Sequence, residues 1–274
     1  MKFLITGAGG LLGSEFNKVV VEEKLALKRT DLDITNFEDV YKIVKNYKPD
    51  VIINCSALSN VDYCEEHFDE AINVNAKGVE NLLISALENK CFLVHFSTDY
   101  VFDGNKNSPY TIYDIPNPIN NYGKSKLMGE EIVKNSKYEN VLIIRTSWLF
   151  GIGKSSFVSK ILNMINNEVI YMTEQISNPT YSKDLAIRVY KMIKQGYKGL
   201  FHLTGALSVS RYELAKYILD IVGYKGKIIK VENFPSIAKR PRYSSLDNYP
   251  LEPLRDYKVA IKEFLKEFYN FRTL

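Results

Sequence analysis

An apolar run ending at Thr6 gives way at once to Gly7-Ala8-Gly9-Gly10-Leu11-Leu12-Gly13, and a helical pattern follows. Glycine, two residues, glycine, two residues, glycine is a close variant of the dinucleotide-binding fingerprint, and each glycine has a physical task. Gly7 makes the tight turn, Gly10 lets the backbone approach a pyrophosphate, and Gly13 lets the helix pack on the strand. The helix N-terminus then presents free N–H groups and a positive dipole end to the phosphates. Strand, glycine loop and helix in that order commit the start of the chain to a parallel α/β sheet.

The rest of the first half agrees. Apolar or β-branched runs at Lys2–Thr6, Leu25–Arg29, Val51–Cys55, Cys91–Ser97 and Val141–Arg145 read as strands. Helical patterns at Leu11–Glu23, Phe37–Tyr47, Phe68–Glu88 and Tyr122–Asn135 alternate with them, which argues for a doubly wound, Rossmann-like parallel sheet. Thr35-Asn36 supplies an N-cap signal for the second helix. From Trp148 the texture changes to helices at Ser155–Asn167, Ser182–Gln195, Arg211–Val222 and Lys258–Tyr269, with short strands and Pro-rich turns. No linker tract separates the two parts. The expectation is a dinucleotide-binding domain over residues 1–147 and a smaller, closely packed C-terminal substrate lobe over 148–274, with segments crossing back into the first.

The 36 basic and 32 acidic residues are mixed along the chain, and a net charge of +4 gives no reason to propose nucleic acid. The basic spot from Lys225 to Lys230 reads as solvated surface. No segment reaches membrane-spanning length and no signal-peptide pattern opens the chain, so a cytoplasmic protein is expected. Cys55, Cys64 and Cys91 are odd in number and lack paired metal-type spacing, which argues against disulfides and a zinc site. At the end of the second strand, where an NAD-selective site carries an acidic residue, Lys28-Arg29 stands instead. A guanidinium there accepts a 2′-phosphate, so NADP(H) is favoured. Asp31 and Asp33 remain candidates for the ribose, which keeps NAD(H) as the alternative.

The reacting groups follow from position. Tyr122 and Lys126 lie four apart at a helix start, on one face, where an ammonium lowers the pKa of a phenol. A tyrosine so tuned exchanges a proton with a carbonyl oxygen. Tyr41/Lys45, Tyr190/Lys194 and Tyr212/Lys216 share the spacing. Only Tyr122 follows a strand, Leu93 to Ser97, that turns polar through Thr98 and Asp99 at its carboxyl end, where open parallel sheets bind ligands.

With Ser97-Thr98-Asp99-Tyr-Val-Phe-Asp-Gly104, Asn117 through Glu130, Arg145-Thr146-Ser147-Trp148, Asn178-Pro179-Thr180, Arg240-Pro241 and Ser245-Leu246-Asp247, nearly the whole chain resembles the dTDP-4-dehydrorhamnose reductase family. That family belongs to the extended short-chain dehydrogenase/reductase superfamily. The resemblance implies NAD(P)H-dependent reduction of the C4 keto group of dTDP-4-dehydro-L-rhamnose, with Thr98, Tyr122 and Lys126 as catalytic triad. It implies sugar contacts from Thr98, Asp99 and Trp148. Cofactor contacts are implied for Gly7, Gly10, Leu11, Leu12, Gly13, Arg29, Asp33, Ile34, Ser56, Ala57, Leu58, Ser97, Tyr122 and Lys126. Arg240 and Arg242 are candidates for the substrate diphosphate, and Asn75 is assigned no chemistry.

Some relatives form metal-bridged dimers. Glu15 matches one carboxylate position, but Lys183 stands where a second is required, so no metal is expected. A monomer or homodimer without nucleic-acid or membrane partners is the expectation. The alternatives are a reductase of another nucleotide-linked 4-keto-deoxysugar, or a non-catalytic NADP-binding regulatory subunit like that of methionine adenosyltransferase.

Overall fold

The computed structural model describes residues 1–153, 156–233 and 235–269. Its first half runs β1 (Phe3–Thr6), α1 (Leu11–Val19), β2 (Lys24–Leu27), α2 (Phe37–Tyr47), β3 (Val51–Asn54), α3 (Val61–Glu66), α4 (Phe68–Ile72), a π-helical turn (Asn73–Lys77), α5 (Gly78–Asn89), β4 (Phe92–Thr98), α6 (Asn121–Asn135) and β5 (Val141–Thr146). The second half runs β6 (Leu149–Phe150), α7 (Phe157–Asn163), β7 (Val169–Thr173), β8 (Ile176–Ser177), β9 (Thr180–Tyr181), α8 (Ser182–Lys194), β10 (Gly199–His202), β11 (Val209–Ser210), α9 (Arg211–Ile221), β12 (Lys227–Val231) and α10 (Tyr257–Tyr269).

A six-stranded sheet in the order β10-β5-β4-β3-β1-β2, parallel throughout, forms the frame, as the sequence leads one to expect. Every residue of β1, β3 and β5 is buried, because helices cover both faces. Alternation then sorts the side chains. Phe3, Ile5, Val51 and Ile53 join a core with Leu12 and Phe16 of α1 and Leu185, Val189 and Met192 of α8. Leu4 and Ile52 face the other way, onto Val40 and Val44 of α2, Leu82 and Leu83 of α5 and Val133 of α6. Each fully buried side chain of this size contributes roughly 1.5–3 kcal/mol. A third core lies in the second half and joins Phe150, Ile161, Tyr181, Leu214, Ile218, Ile261 and Phe264.

The second half is not confined to that third core. β10 pairs with β5 to complete the sheet, and α8 packs against α1. Several expected boundaries move for local reasons. α1 stops at Val19, where Val20 turns extended and the Lys24 ammonium caps the carbonyls of Asn17 and Val20. β2 stops at Leu27 because the Lys28 N–H turns to the Asp31 carboxylate. The expected helix Phe68–Glu88 is divided by the π-helical turn into α4 and α5. Ser155, expected to open a helix, lies outside the described residues.

Candidate active site

The chain leaves β1 for β2 on one side of the sheet and returns to β3 on the other, so a crevice opens at their carboxyl ends. The glycine loop sits there. Gly7 has φ +66°, and a Cβ on it would lie 2.6 Å from the Cys55 carbonyl carbon at the end of β3. A Cβ on Gly13 would lie 2.3 Å from the Gly7 carbonyl oxygen, so α1 packs on its own loop only without a side chain. Gly10 is the N-cap of α1 and places no side chain on the helix end. The first N–H groups of α1 therefore stay available to an anion, and the loop fits a dinucleotide's phosphates.

Around this cradle the other expected cofactor positions behave differently. The Lys28 stem packs over Gly9, its Cγ 3.5 Å from where a Cβ would be. Arg29 is exposed and lies 3.9 Å from Asp33. The Asp33 carboxylate accepts bonds from the Thr35 N–H and hydroxyl, which hold its pKa below the ordinary range. Ile34 is buried against Gly78 in the sheet core. Leu12 is likewise buried, and Leu11 is half-buried. Beyond β3, Ser56 donates its N–H to Asn54, Ala57 is exposed, and Leu58 is clamped at both backbone groups by Asn75 at 2.9 Å.

Thr98 ends β4, in register with Thr146 at the end of β5. Its hydroxyl donates to Asp99 Oδ1 at 3.1 Å and accepts the Tyr100 N–H. Asn120 caps α6, and Gly123 lets that helix close on β4's extension, since a Cβ there would meet the Tyr100 carbonyl oxygen at 2.1 Å. Tyr122 is thereby set beside Thr98, with its ring 5.9 Å from that of Tyr100. One expectation is corrected here. Burial pushes the Tyr122 phenol well above the ordinary tyrosine range, opposed by the Thr98 hydroxyl rather than by Lys126. The Lys126 ammonium is buried and donates to the Phe96 carbonyl at 2.6 Å. Burial lowers its pKa to about 8, and Glu130 acts the other way.

Buried polar groups behind α6 lock this geometry. Asn75, in the π-helical turn, also donates to Ser125 Oγ at 3.0 Å, while Ser125 donates to the Tyr122 carbonyl. Glu130, one turn beyond Lys126, receives a two-pronged bond from Arg145 of β5 at 2.8 and 2.7 Å. Against the effect of burial, Arg145 and then Lys134 hold the Glu130 carboxyl down to about 2. Removing either partner would leave an unpaired buried charge, at about 3–5 kcal/mol. Ser97 is buried beside Glu130, and its Oγ makes no hydrogen bond of sound geometry.

The second lobe meets this strand end through side chains. Asp99 Oδ2 accepts hydroxyls from Ser177 at 3.0 Å and Ser244 at 2.5 Å. Burial raises its pKa to about 6, with Ser244, Ser177 and Thr98 opposing. Trp148 has φ +38°, a left-handed conformation that is a genuine outlier for a bulky residue. Its indole packs against Phe157 and against the Arg211 guanidinium, whose centre lies 4.9 Å from the Trp148 ring and 4.7 Å from the Phe157 ring. Arg240, expected near a diphosphate, is instead forked onto Asp62 of α3 at 2.7 and 3.1 Å.

The other Tyr/Lys pairs are engaged elsewhere. Lys45 lies over the Tyr41 ring, Tyr190 and Lys194 both hold Glu22, and Tyr212 lies under Lys230. Lys183 is held by Glu263 at 2.8 Å and Glu267 at 2.7 Å. Asn75 was expected only as a hydrogen-bonding helix residue, as it is here, while sequence reasoning missed Glu130, Ser177, Ser244 and Arg211 as components of this cluster. A buried acid one turn after Lys126 was a readable signal for Glu130; the others gave none.

The family model for the RmlD substrate binding domain matches residues 1–270. A dTDP-4-dehydrorhamnose reductase of Aggregatibacter actinomycetemcomitans is 39% identical over 266 residues, covering 90% of each chain. Among solved structures, a dTDP-4-dehydrorhamnose reductase of Clostridium acetobutylicum superposes with a TM-score of 0.94 at 39% identity, covering 97% of this chain and 99% of that one. Another, from Bacillus anthracis and in complex with NADP, gives a TM-score of 0.93 at 32% identity over the same shares.

Proposed function

Because this chain belongs to the RmlD substrate binding domain family, we propose that it is an NADPH-dependent reductase of dTDP-4-dehydro-L-rhamnose, forming dTDP-L-rhamnose in the cytoplasm. The observation that carries this reading is the Tyr122 phenol beside the Thr98 hydroxyl, at the same sheet edge as the glycine loop.

Gly7, Gly10 and Gly13 with the start of α1 hold the cofactor's phosphates, and Lys28 and Arg29 meet its 2′-phosphate. Bound NADPH supplies the hydride for C4 of the sugar. Tyr122 supplies the proton to the C4 oxygen. A phenol kept protonated by burial is in the right state to act as an acid. The charge it leaves on its oxygen would be favoured by the Lys126 ammonium on the same helix face once that ammonium turns from the Phe96 carbonyl. Thr98 turns its hydroxyl toward the developing oxyanion. Asp99 tolerates that loss, since Ser177 and Ser244 still donate to it. Trp148 provides an apolar wall for the sugar ring and its methyl group.

NADPH oxidation, followed by loss of the dihydronicotinamide absorbance, should proceed with dTDP-4-dehydro-L-rhamnose and more slowly with other nucleotide-linked 4-keto sugars. A protein that binds NADPH yet turns over none of them would sink this reading.

A further inference from the structure

Arg211 is the first residue of α9 and stands where charge is hard to explain. Its guanidinium packs on Trp148 and Phe157, and its Nε is buried without a hydrogen-bond partner. Among the described residues, no carboxylate lies within ion-pair range of it. Three other arginines are closely paired, whereas Arg188 and Arg242, like Arg211, have no ion pair among the described residues. Arg145 is forked onto Glu130, Arg240 onto Asp62, and Arg255 reaches Asp184 and Glu263. A guanidinium half-buried between two rings, with no carboxylate beside it and its Nε unpaired, keeps hydrogen-bonding capacity to offer an anion that comes from outside.

The surroundings fix both its direction and its neighbours. Ser210 and Glu213 form a capping box around it, and its backbone N–H is bonded to the Gln175 carbonyl. Burial raises the pKa of the Tyr100 phenol, and the Arg211 guanidinium, within hydrogen-bonding reach of it, opposes that rise. Tyr100 in turn packs edge-on against Tyr122. Arg211 is thus separated from the proposed proton donor by one aromatic ring, on the second-lobe side.

We propose that Arg211, and not Arg240, receives the diphosphate of the nucleotide-sugar substrate. The assignment rests on the reductase reading above and adds its anion-binding residue. In a hexose reduced at C4, the diphosphate hangs from C1, across the ring from the reacting carbonyl. A sugar lying against Trp148 with its C4 oxygen at Tyr122 carries that charge on its far side, along the second lobe, where Arg211 stacks on the indole. Aromatic contact covers the face of the guanidinium and leaves its edge N–H groups for the anion, in the fork geometry that suits phosphate oxygens. Arg240 cannot serve without giving up Asp62.

The test is calorimetric titration of the NADPH-loaded protein with dTDP, for the wild type, Arg211→Gln and Arg211→Lys. Arg211→Gln should weaken dTDP binding about 10- to 100-fold, as expected for loss of charge-assisted bonds. Arg211→Lys should fall between, and NADPH affinity should hold in both. Steady-state turnover should show the loss mainly in KM. Unchanged dTDP affinity in Arg211→Gln overturns the assignment, and so does a parallel fall in NADPH affinity, which would mark a structural role. If the wild type reduces no nucleotide-linked 4-keto sugar while dTDP binding still depends on Arg211, the reductase reading fails and this one stands. If turnover proceeds and Arg211→Gln binds dTDP normally, this one fails alone.

Discussion

The two sides of the cleft are built by different means. On the side proposed for the cofactor the surface is backbone: a Cβ on Gly7 or Gly13 would fall 2.6 or 2.3 Å from neighbouring backbone atoms, and the helix end is left bare. On the side proposed for the substrate it is side chain: Asp99 holds Ser177 and Ser244, Asp62 holds Arg240, and Trp148 is twisted into a left-handed conformation against Arg211. A backbone cradle recognises a feature shared by every dinucleotide. Side chains gathered from distant segments recognise one substrate and are free to change without disturbing the sheet.

Three substitutions or conditions test that division. Tyr122→Phe stands on the boundary and should lower kcat by about 10²–10⁴-fold while NADPH and dTDP affinities stay near wild type. Turnover within a few-fold of wild type would remove Tyr122 from the chemistry. Gly13→Ala acts on the cofactor side alone. It should weaken NADPH binding at least about tenfold and leave dTDP binding nearly intact, as read by titration with each ligand. Equal losses for both would mean that the two sides are not separable.

The smallest effect is in pH. Lys126 is charged below its pKa of about 8 and neutral above it, so kcat should decline on the alkaline side from about pH 8. Glu130→Gln removes a charge that raises that pKa, and the decline should start at lower pH. Stability moves the other way. Between about 8 and the unfolded lysine value of about 10.4, the unfolded chain keeps a proton that the folded chain has lost, so this group's contribution to stability rises with pH. A Glu130→Gln profile that matches the wild type would break the link between the pair.

The same division sets what was legible in the sequence. Glycine spacing, buried strands and the Tyr122/Lys126 step are local patterns, and the sheet with its reactive edge follows from them. Direction was harder to read: Ile34 sits beside the cofactor segment in sequence but turns into the core, because α5 offers it the gap at Gly78. Long-range pairing was invisible. Asp62 and Arg240 are separated by 178 residues, and Asp99 and Ser244 by 145, so no spacing rule joins them. Arg211 looks like any exposed helix-start cation until Trp148 and Phe157 are seen around it. The Tyr122 phenol was expected to be lowered by the lysine one turn away, but the Phe96 carbonyl holds that ammonium and burial dominates.

That β10 fills the last place in the sheet has a consequence for how the chain comes off the ribosome. β5 is wholly buried in the finished protein, yet its outer partner is not made until residues 199–202. Until then a strand whose first four residues are apolar stands at an open edge, the arrangement that invites pairing with another nascent chain. A fragment ending at residue 147 would keep that edge permanently, so it should self-associate more readily than the whole chain.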